Sequence, residues 1–285
     1  MDYLKLESSA LNLDWSEVEK TIERFIRKYV KDSGRQGLVL GLSGGVDSCT
    51  CAALSALSIG GDKVLGLLLP EEETYSTEDI DQAMKVARKF GFRTEITDIT
   101  SVLEVLCKSV PIFESTDKLS KGNMKARTRM LIWYYYANRL HALVCGCSNK
   151  SEAMVGYFTK WGDIAADISP IMDLYKTQVR QLAEHIGVPK EIATKPASPN
   201  LWPGQLAEKE LGTDYETLDL ILYGLERFMK TEEIAQHLGV KKELINEIRH
   251  RWLSMEHKRR MPLTVKIQYR TIGADFRLPR TSLGT

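Results

Sequence analysis

No run in this chain approaches the ~18 or more consecutive apolar residues of a membrane span, so no membrane crossing is expected. The first residues, "MDYLKLESSALNLDWSE", have neither a basic head nor an apolar core and do not read as a secretory signal. Excess charge is missing too: 39 Lys and Arg face 38 Asp and Glu, a formal net charge of +1. A chain so balanced carries no general electrostatic footprint for nucleic acid. Cysteines are few and odd in number, at five. That argues for reduced thiols and a cytoplasmic protein rather than a disulfide framework. Four of them form the pairs Cys49/Cys51 and Cys145/Cys147. Structural zinc sites usually space paired cysteines by about two to four residues. Residues i and i+2 of a helix also point apart. The pairs therefore read as small packing residues.

What is present suits a sizeable core: 285 residues, 43% of them hydrophobic and 27% charged. Residues 15–32 have helical spacing at Val18, Ile22, Phe25, Ile26 and Tyr29, with Asp14 or Ser16 as cap. Four strand-length runs follow: "GLVLGL" (37–42), "KVLGLLLP" (63–70), "TEITDI" (94–99) and "ALVCGC" (142–147). The first two and the last are nearly continuously apolar, as strands buried on both faces are. Helical patterns over about 46–59, 77–90 and 118–140 lie between them. This alternation predicts an α/β fold, a doubly wound parallel sheet with helices on both faces, and a helical C-terminal extension. We expect one domain over 1–285, with its α/β core at about 15–190. A loop and helical part would span about 190–265, and a tail 266–285.

The distinctive stretch is Ser43-Gly44-Gly45-Val46-Asp47-Ser48, between a buried strand and a helix. Backbone N–H groups at such a turn, with the helix dipole, make an anion site. Gly44 and Gly45 allow close approach of phosphate oxygens, and Ser43 and Ser48 add hydroxyl donors. A kinase-type loop would carry a lysine here; this one lacks it and has an aspartate instead. A carboxylate beside phosphates calls for a cation, so Asp47 suggests Mg²⁺.

This loop resembles that of the N-type ATP pyrophosphatases, which hold the β,γ-pyrophosphate as a leaving group while a substrate oxygen attacks the α-phosphate. No lysine is needed to follow a travelling γ-phosphoryl group. Four more blocks sharpen the match: "KGNMKARTRM" (121–130), "CSNKSEAMVGYFTKWGDIAAD" (147–167), "SPIMDLYKTQVRQLA" (169–183) and "EHKRRMP" (256–262). With "LWPGQ" and "EKELG" between 201 and 212, they resemble the ammonia-dependent NAD synthetases over about residues 15–265.

The resemblance implies ATP-dependent amidation of deamido-NAD by ammonia, through an acyl-adenylate, with release of pyrophosphate and AMP. It implies ATP contacts at Gly41, Leu42, Ser43, Gly44, Gly45, Val46, Asp47, Ser48, Cys147, Lys176 and Ser198. Mg²⁺ falls to Asp47 and Glu152, and deamido-NAD to Arg127, Lys160, Asp167, His257 and Lys258. Lys176 would stabilise charge on the α-phosphate, and Asp163 would help deprotonate ammonium; with Asp47 they form the implied catalytic set. Three features depart from the family: Cys147 replaces a threonine, Ile164 a glycine, and "GQLAEKELG" lacks the usual Thr-Asp. The family also favours a homodimer. The nucleotide-binding fold begins near residue 38, which leaves no space for an amidase domain ahead of it, so ammonium rather than glutamine is the expected nitrogen donor.

Taken alone, Arg127 and Arg129 read as a solvated helix face, and Lys160 and Lys176 as surface charges. Two other functions are open. Cys145 and Cys147 would serve a tRNA thiolase of the same superfamily. "TEEIAQHLGVKKELINEIRHRW" (231–252) has helix-turn-helix spacing, as in a DNA-binding regulator or in a helical hairpin packed on its own domain.

Overall fold

The computed structural model of the protein describes residues 6–271. The expected tail thus lies outside the described residues from 272 onward, as do residues 1–5. The chain begins with α1 (Trp15–Asp32), β1 (Leu38–Gly41), α2 (Val46–Ile59), β2 (Val64–Leu68), α3 (Thr77–Phe90) and β3 (Arg93–Ile96). Then come α4 (Thr100–Ser109), α5 (Lys118–Arg139), β4 (Leu143–Val144), α6 (Lys150–Val155), α7 (Lys176–His185) and α8 (Lys190–Ala193). Five more helices close the described chain: α9 (Ala207–Leu211), α10 (Tyr215–Glu226), α11 (Thr231–Leu238), α12 (Lys242–Ser254) and α13 (Glu256–Arg259).

All four strands are parallel, in the order β3-β2-β1-β4. Alternate residues of β1 show why both faces are covered. Leu38 and Leu40 pack in one core with α1, α2, α3 and α7, while Val39 packs in another with α4 and α5. The winding reverses between β1 and β4, so the C-terminal ends of these neighbours open a crevice where α/β sheets bind ligands. A third apolar cluster joins α10, α11 and α12 to α6.

Local signals explain most boundaries. Asp14, one of the two expected caps, accepts from the Glu17 amide at 3.2 Å and starts α1. Ser76 caps α3, and Gly91 ends it in the left-handed region at φ +71°. Two expectations change. The run 142–147 forms only two ladder residues, because beyond Cys145 the Gly146 amide turns to the Ile168 carbonyl at 2.8 Å. And α4 has no counterpart in the sequence reading: only Leu103 of it is buried, while Val102, Val105 and Leu106 face outward, which blurs its periodicity.

The segment with helix-turn-helix spacing forms α11 and α12 about Gly239, at φ +65°. Its Ile234, Ile245 and Ile248 are buried in the third cluster. Arg251 donates to the Glu210 carbonyl at 2.8 Å, and Lys242 pairs with Glu232 at 3.3 Å. This is the geometry of a hairpin packed on its own domain.

Asp219, on α10, ties three helices together. It is fully buried and accepts from the Ser151 hydroxyl on α6 and from the Thr177 amide (2.9 Å) and hydroxyl (2.8 Å) on α7. Burial outweighs these bonds and pushes its carboxyl up to about 6. The folded protein therefore holds a proton that the unfolded chain has already released, and this group's contribution to stability falls as pH rises from about 4 to about 6. Asp219→Asn should flatten that part of the pH dependence. Urea unfolding at both ends of the window, for wild type and variant, measures it; an unchanged slope would refute the assignment.

Candidate active site

A cleft of about 740 Å³ opens at the reversal point between β1 and β4. Its floor is the glycine loop. Gly44 has φ +78°, and a Cβ there would stand 2.3 Å from the Asp79 carbonyl, so only glycine fits. Hydroxyls brace the turn: the Ser43 amide donates to Ser48 Oγ at 3.1 Å, the Ser43 and Ser48 hydroxyls lie 3.0 Å apart, and Ser48 donates to the Gly45 carbonyl at 3.2 Å. The first amides of α2 point out of this braced loop without helical partners.

Asp47 stands in the first turn of α2, and Glu152 in that of α6 after β4. Asn149 aligns both. Its side-chain Oδ1 accepts from the Glu152 backbone amide at 3.0 Å, its own backbone amide donates to Glu152 Oε2 at 3.4 Å, and its Nδ2 donates to Asp47 Oδ1 at 3.0 Å. The lysine that the loop lacks arrives from α7. Lys176 is only 2% exposed, donates to Asp47 Oδ2, and lies 3.6 Å from Glu152 Oε1. It is no surface charge, contrary to its reading in isolation.

Burial and the nearby Asp47 carboxylate push Glu152 up to about 7. Burial disfavours the Lys176 ammonium, yet Asp47 and Glu152 outweigh it and hold its pKa above the ordinary value. Two carboxylates thus share one ammonium, leaving negative charge in excess. Among the described residues no group of three or more His, Cys, Asp or Glu is placed to hold a metal by itself. A Mg²⁺ bound here would complete its shell with phosphate oxygens and water, which is its usual preference. The donor set fits that ion together with a polyphosphate.

Other expected residues divide into two groups. Gly41, Leu42, Cys147, Asp163 and Ser198 line the same cleft. Cys147 is half-buried, its Sγ 3.8 Å from the Cys145 carbonyl. Cys49, Cys51 and Cys145 are buried in the core, with burial pushing the Cys49 thiol up to about 12. Asp163 accepts from the Thr159 amide at 2.8 Å; burial raises its pKa, against the pull of Lys258. Arg127, Lys160, His257 and Lys258 do not line the cleft but cluster beside it. Arg127 Nη2 donates to the Lys160 carbonyl at 3.2 Å, and Lys160 Nζ to the His257 carbonyl at 2.7 Å. Lys258 Nζ donates to the carbonyls of Gly156 (2.8 Å) and Phe158 (2.9 Å). Asp167 stands apart: it is exposed and accepts from the Val144 amide at 2.8 Å, bracing the sheet edge.

Sequence reasoning missed Asn149, and also Lys195 and Trp133, which line the cleft. The helix-capping pattern Asn149-x-x-Glu152 was a usable signal for the first. For Gly44→Ala, the positive φ and the clash with Asp79 should cost about 1–3 kcal/mol of stability. Urea denaturation checks this, and an unchanged midpoint would exclude the loop geometry.

Comparison with known proteins gives the same direction. The family described as NAD synthase matches residues 18–262. The chain is 46% identical over 253 residues to the NH(3)-dependent NAD(+) synthetase of Hyperthermus butylicus, covering 88% of this chain and 91% of that one. It is 47% identical over 253 residues to that of Methanocaldococcus jannaschii, covering 88% and 97%. Among solved structures, NMN synthetase from Francisella tularensis superposes with a TM-score of 0.80 at 30% identity, covering 90% of this chain and 100% of that one. With a four-stranded parallel sheet, a lysine-free phosphate loop and this breadth of likeness, the chain belongs to the NAD synthase family.

Proposed function

We propose that the cleft performs ATP-dependent amidation of deamido-NAD by ammonia. The nicotinate carboxylate attacks the α-phosphate of ATP, pyrophosphate leaves, and ammonia displaces AMP from the acyl-adenylate to give NAD. The observation that carries this reading is the meeting of Lys176, Asp47 and Glu152 above the glycine loop. A carboxylate is a poor electrophile until its oxygen becomes a good leaving group, and adenylation makes it one.

Each group has a role in that chemistry. The loop Ser43–Ser48 grips the β- and γ-phosphates, so what it holds is what leaves. Lys176, held in place by its carboxylates, neutralises charge growing on the α-phosphate. Asp47 and Glu152 would hold Mg²⁺, which when bound supplies charge neutralisation at the leaving pyrophosphate. Asp163, whose carboxyl burial pushes up, lines the cleft where it would help take a proton from ammonium. Gly41, Leu42, Cys147 and Ser198 contact ATP, and Arg127, Lys160, Asp167, His257 and Lys258 take deamido-NAD. Ammonia is the nitrogen donor in the names of the curated relatives, which this chain nearly spans. We place the enzyme in the cytoplasm, where unpaired thiols persist. Among the described residues no helix is long and apolar enough to cross a membrane. The whole chain acts as one catalytic domain, and pairs as a homodimer. Apolar side chains that α4 and α5 leave outside support the pairing: Val105, Leu119, Leu131 and Tyr135, each more than 60% exposed.

The Francisella likeness favours one second reading, amidation of nicotinate mononucleotide. Product analysis separates the two. With ATP, Mg²⁺ and ammonium, deamido-NAD should yield NAD, AMP and pyrophosphate, and the mononucleotide should react much more slowly. ADP and orthophosphate without AMP would sink the mechanism. Glutamine in ammonia-free reagents should give no comparable rate.

Asp47→Asn should lower kcat by about 10²–10³-fold, roughly 3–4 kcal/mol. Combined with Glu152→Gln it should lose less than the sum, since both act on one cluster. Additive losses in steady-state rates would separate the two roles. Sedimentation should show a dimer of the 32.3 kDa chain. Leu131→Arg with Tyr135→Arg should shift it toward monomer; a monomeric wild type would remove the pairing.

A further inference from the structure

Arg127 and Arg129 lie two residues apart on α5, and the helix turns them to different surroundings. Arg127 is exposed; Arg129 is half-buried and lines the cleft. Arg129 Nε donates to the Leu69 carbonyl at 3.2 Å, just beyond β2, and that bond fixes the plane of its guanidinium. Among the described residues, no acceptor meets its two terminal amino groups.

The carboxylates nearest in field are committed elsewhere. Glu71 accepts from Lys125 Nζ at 2.7 Å, from the Thr74 hydroxyl at 2.6 Å and from the Glu73 amide at 3.0 Å. Asp163 is bonded by the Thr159 amide. Burial presses the Arg129 pKa down, and Glu71 and Asp163 pull it back, but a guanidinium keeps its proton in any case. One turn further along, Trp133 also lines the cleft, and its buried indole Nε1 has no partner among the described residues. Its ring packs where a Cβ on Gly41 would come within 2.4 Å. Four residues apart, Arg129 and Trp133 share one face of α5. That wall therefore carries unspent hydrogen-bond donors, which are costly to bury without a ligand.

We infer that the terminal amino groups of Arg129 receive an oxyanion of the reactants, in a subsite on the Asp163 side of the cleft. This deepens the proposed reaction and rests on it. Adenylation must bring two anions, a carboxylate and a triphosphate, into bonding distance. The loop serves the pyrophosphate end, and Lys176, the one cation so far assigned to the α-phosphate, is already engaged by Asp47 and Glu152. The planar fork of an arginine matches either a carboxylate or a phosphate by two parallel bonds. The source is thus the nicotinate carboxylate or the α-phosphate, and in both cases Arg129 sits at the reacting centre.

The test measures binding apart from turnover. Wild-type protein is first assayed for NAD; absence of NAD would sink the proposed reaction without deciding the Arg129 subsite. Calorimetry then gives separate dissociation constants for Mg²⁺–ATP and deamido-NAD with Arg129→Met and Arg129→Lys, beside melting temperatures. One reactant should bind about 10- to 100-fold more weakly to the Met variant, the other within about twofold. The Lys variant, which keeps charge but not the fork, should fall between and guards against a Met variant that fails to fold. Weakening confined to deamido-NAD identifies the carboxylate; weakening confined to ATP identifies the α-phosphate. Unchanged affinity for both reactants, or equal loss for both with a lowered melting temperature, overturns the inference.

Discussion

The structure depends on keeping one ammonium ion out of water. Lys176 is 2% exposed, and a buried charge is tolerated only when paired and hydrogen-bonded. Its partners come from two strand ends: Asp47 after β1 and Glu152 after β4. The pairing therefore fixes the distance between those ends and the width of the crevice. It also fixes α7, whose first residue is Lys176 itself. The backbone there is held independently. The Lys176 amide donates to the Ser151 hydroxyl at 2.9 Å, and the next residue, Thr177, is bonded twice by Asp219. Breaking the ion pair would leave charges stranded in a frame that does not relax around them.

That cluster is arranged for a ligand rather than for stability alone. A balanced buried pair would need one carboxylate; this one has two. Burial beside Asp47 raises Glu152 to about 7, the mark of charge that the lysine does not fully offset. A cation arriving with a polyphosphate would relieve the carboxylates, while the phosphates occupy the free amides of α2. In the proposed reaction the same residues would hold the fold and meet the reactants. Perturbed groups that gather in a cleft at a sheet's reversal point are expected of an active site.

How much of this the sequence disclosed varies by residue. Asp47 was legible because its loop has a fixed spacing and a local cause, a strand that must turn into a helix. Glu152 was legible from its position after a short apolar run, and Asn149 would have been, as a cap. Lys176 was legible only by likeness to the family, since a lysine in an amphipathic helix is ordinarily exposed and nothing local says otherwise. Arg129 was not legible at all: its neighbour Arg127, two positions away, has the same chemistry, and only the packing of α5 on β1 and β4, with Arg129 bonded to the Leu69 carbonyl, tells them apart. The sheet was legible where both faces of a strand are buried, as in β2. It blurred at β4, where two residues of ladder give way to the Gly146 turn, and α4 was lost because its apolar residues do not all face inward.

The cover of the cleft follows from the same economy of charge. The loop from Lys195 to Leu206 lines it and has no regular structure of its own, yet it is pinned at its start and at its middle. Lys195 donates to Asp79 and, at 2.8 Å, to Gln82; Asn200 Nδ2 donates to Asp79 at 2.9 Å. On the other side, the buried Lys125 holds the Leu201 carbonyl at 2.9 Å while paired with Glu71 and Glu73. Asp79 is also the residue whose carbonyl lies against Gly44. One residue of α3 thus supports the floor of the cleft through its backbone and ties down the cover through its side chain. Floor and cover thus meet at one residue of α3, through contacts in which no expected catalytic group takes part.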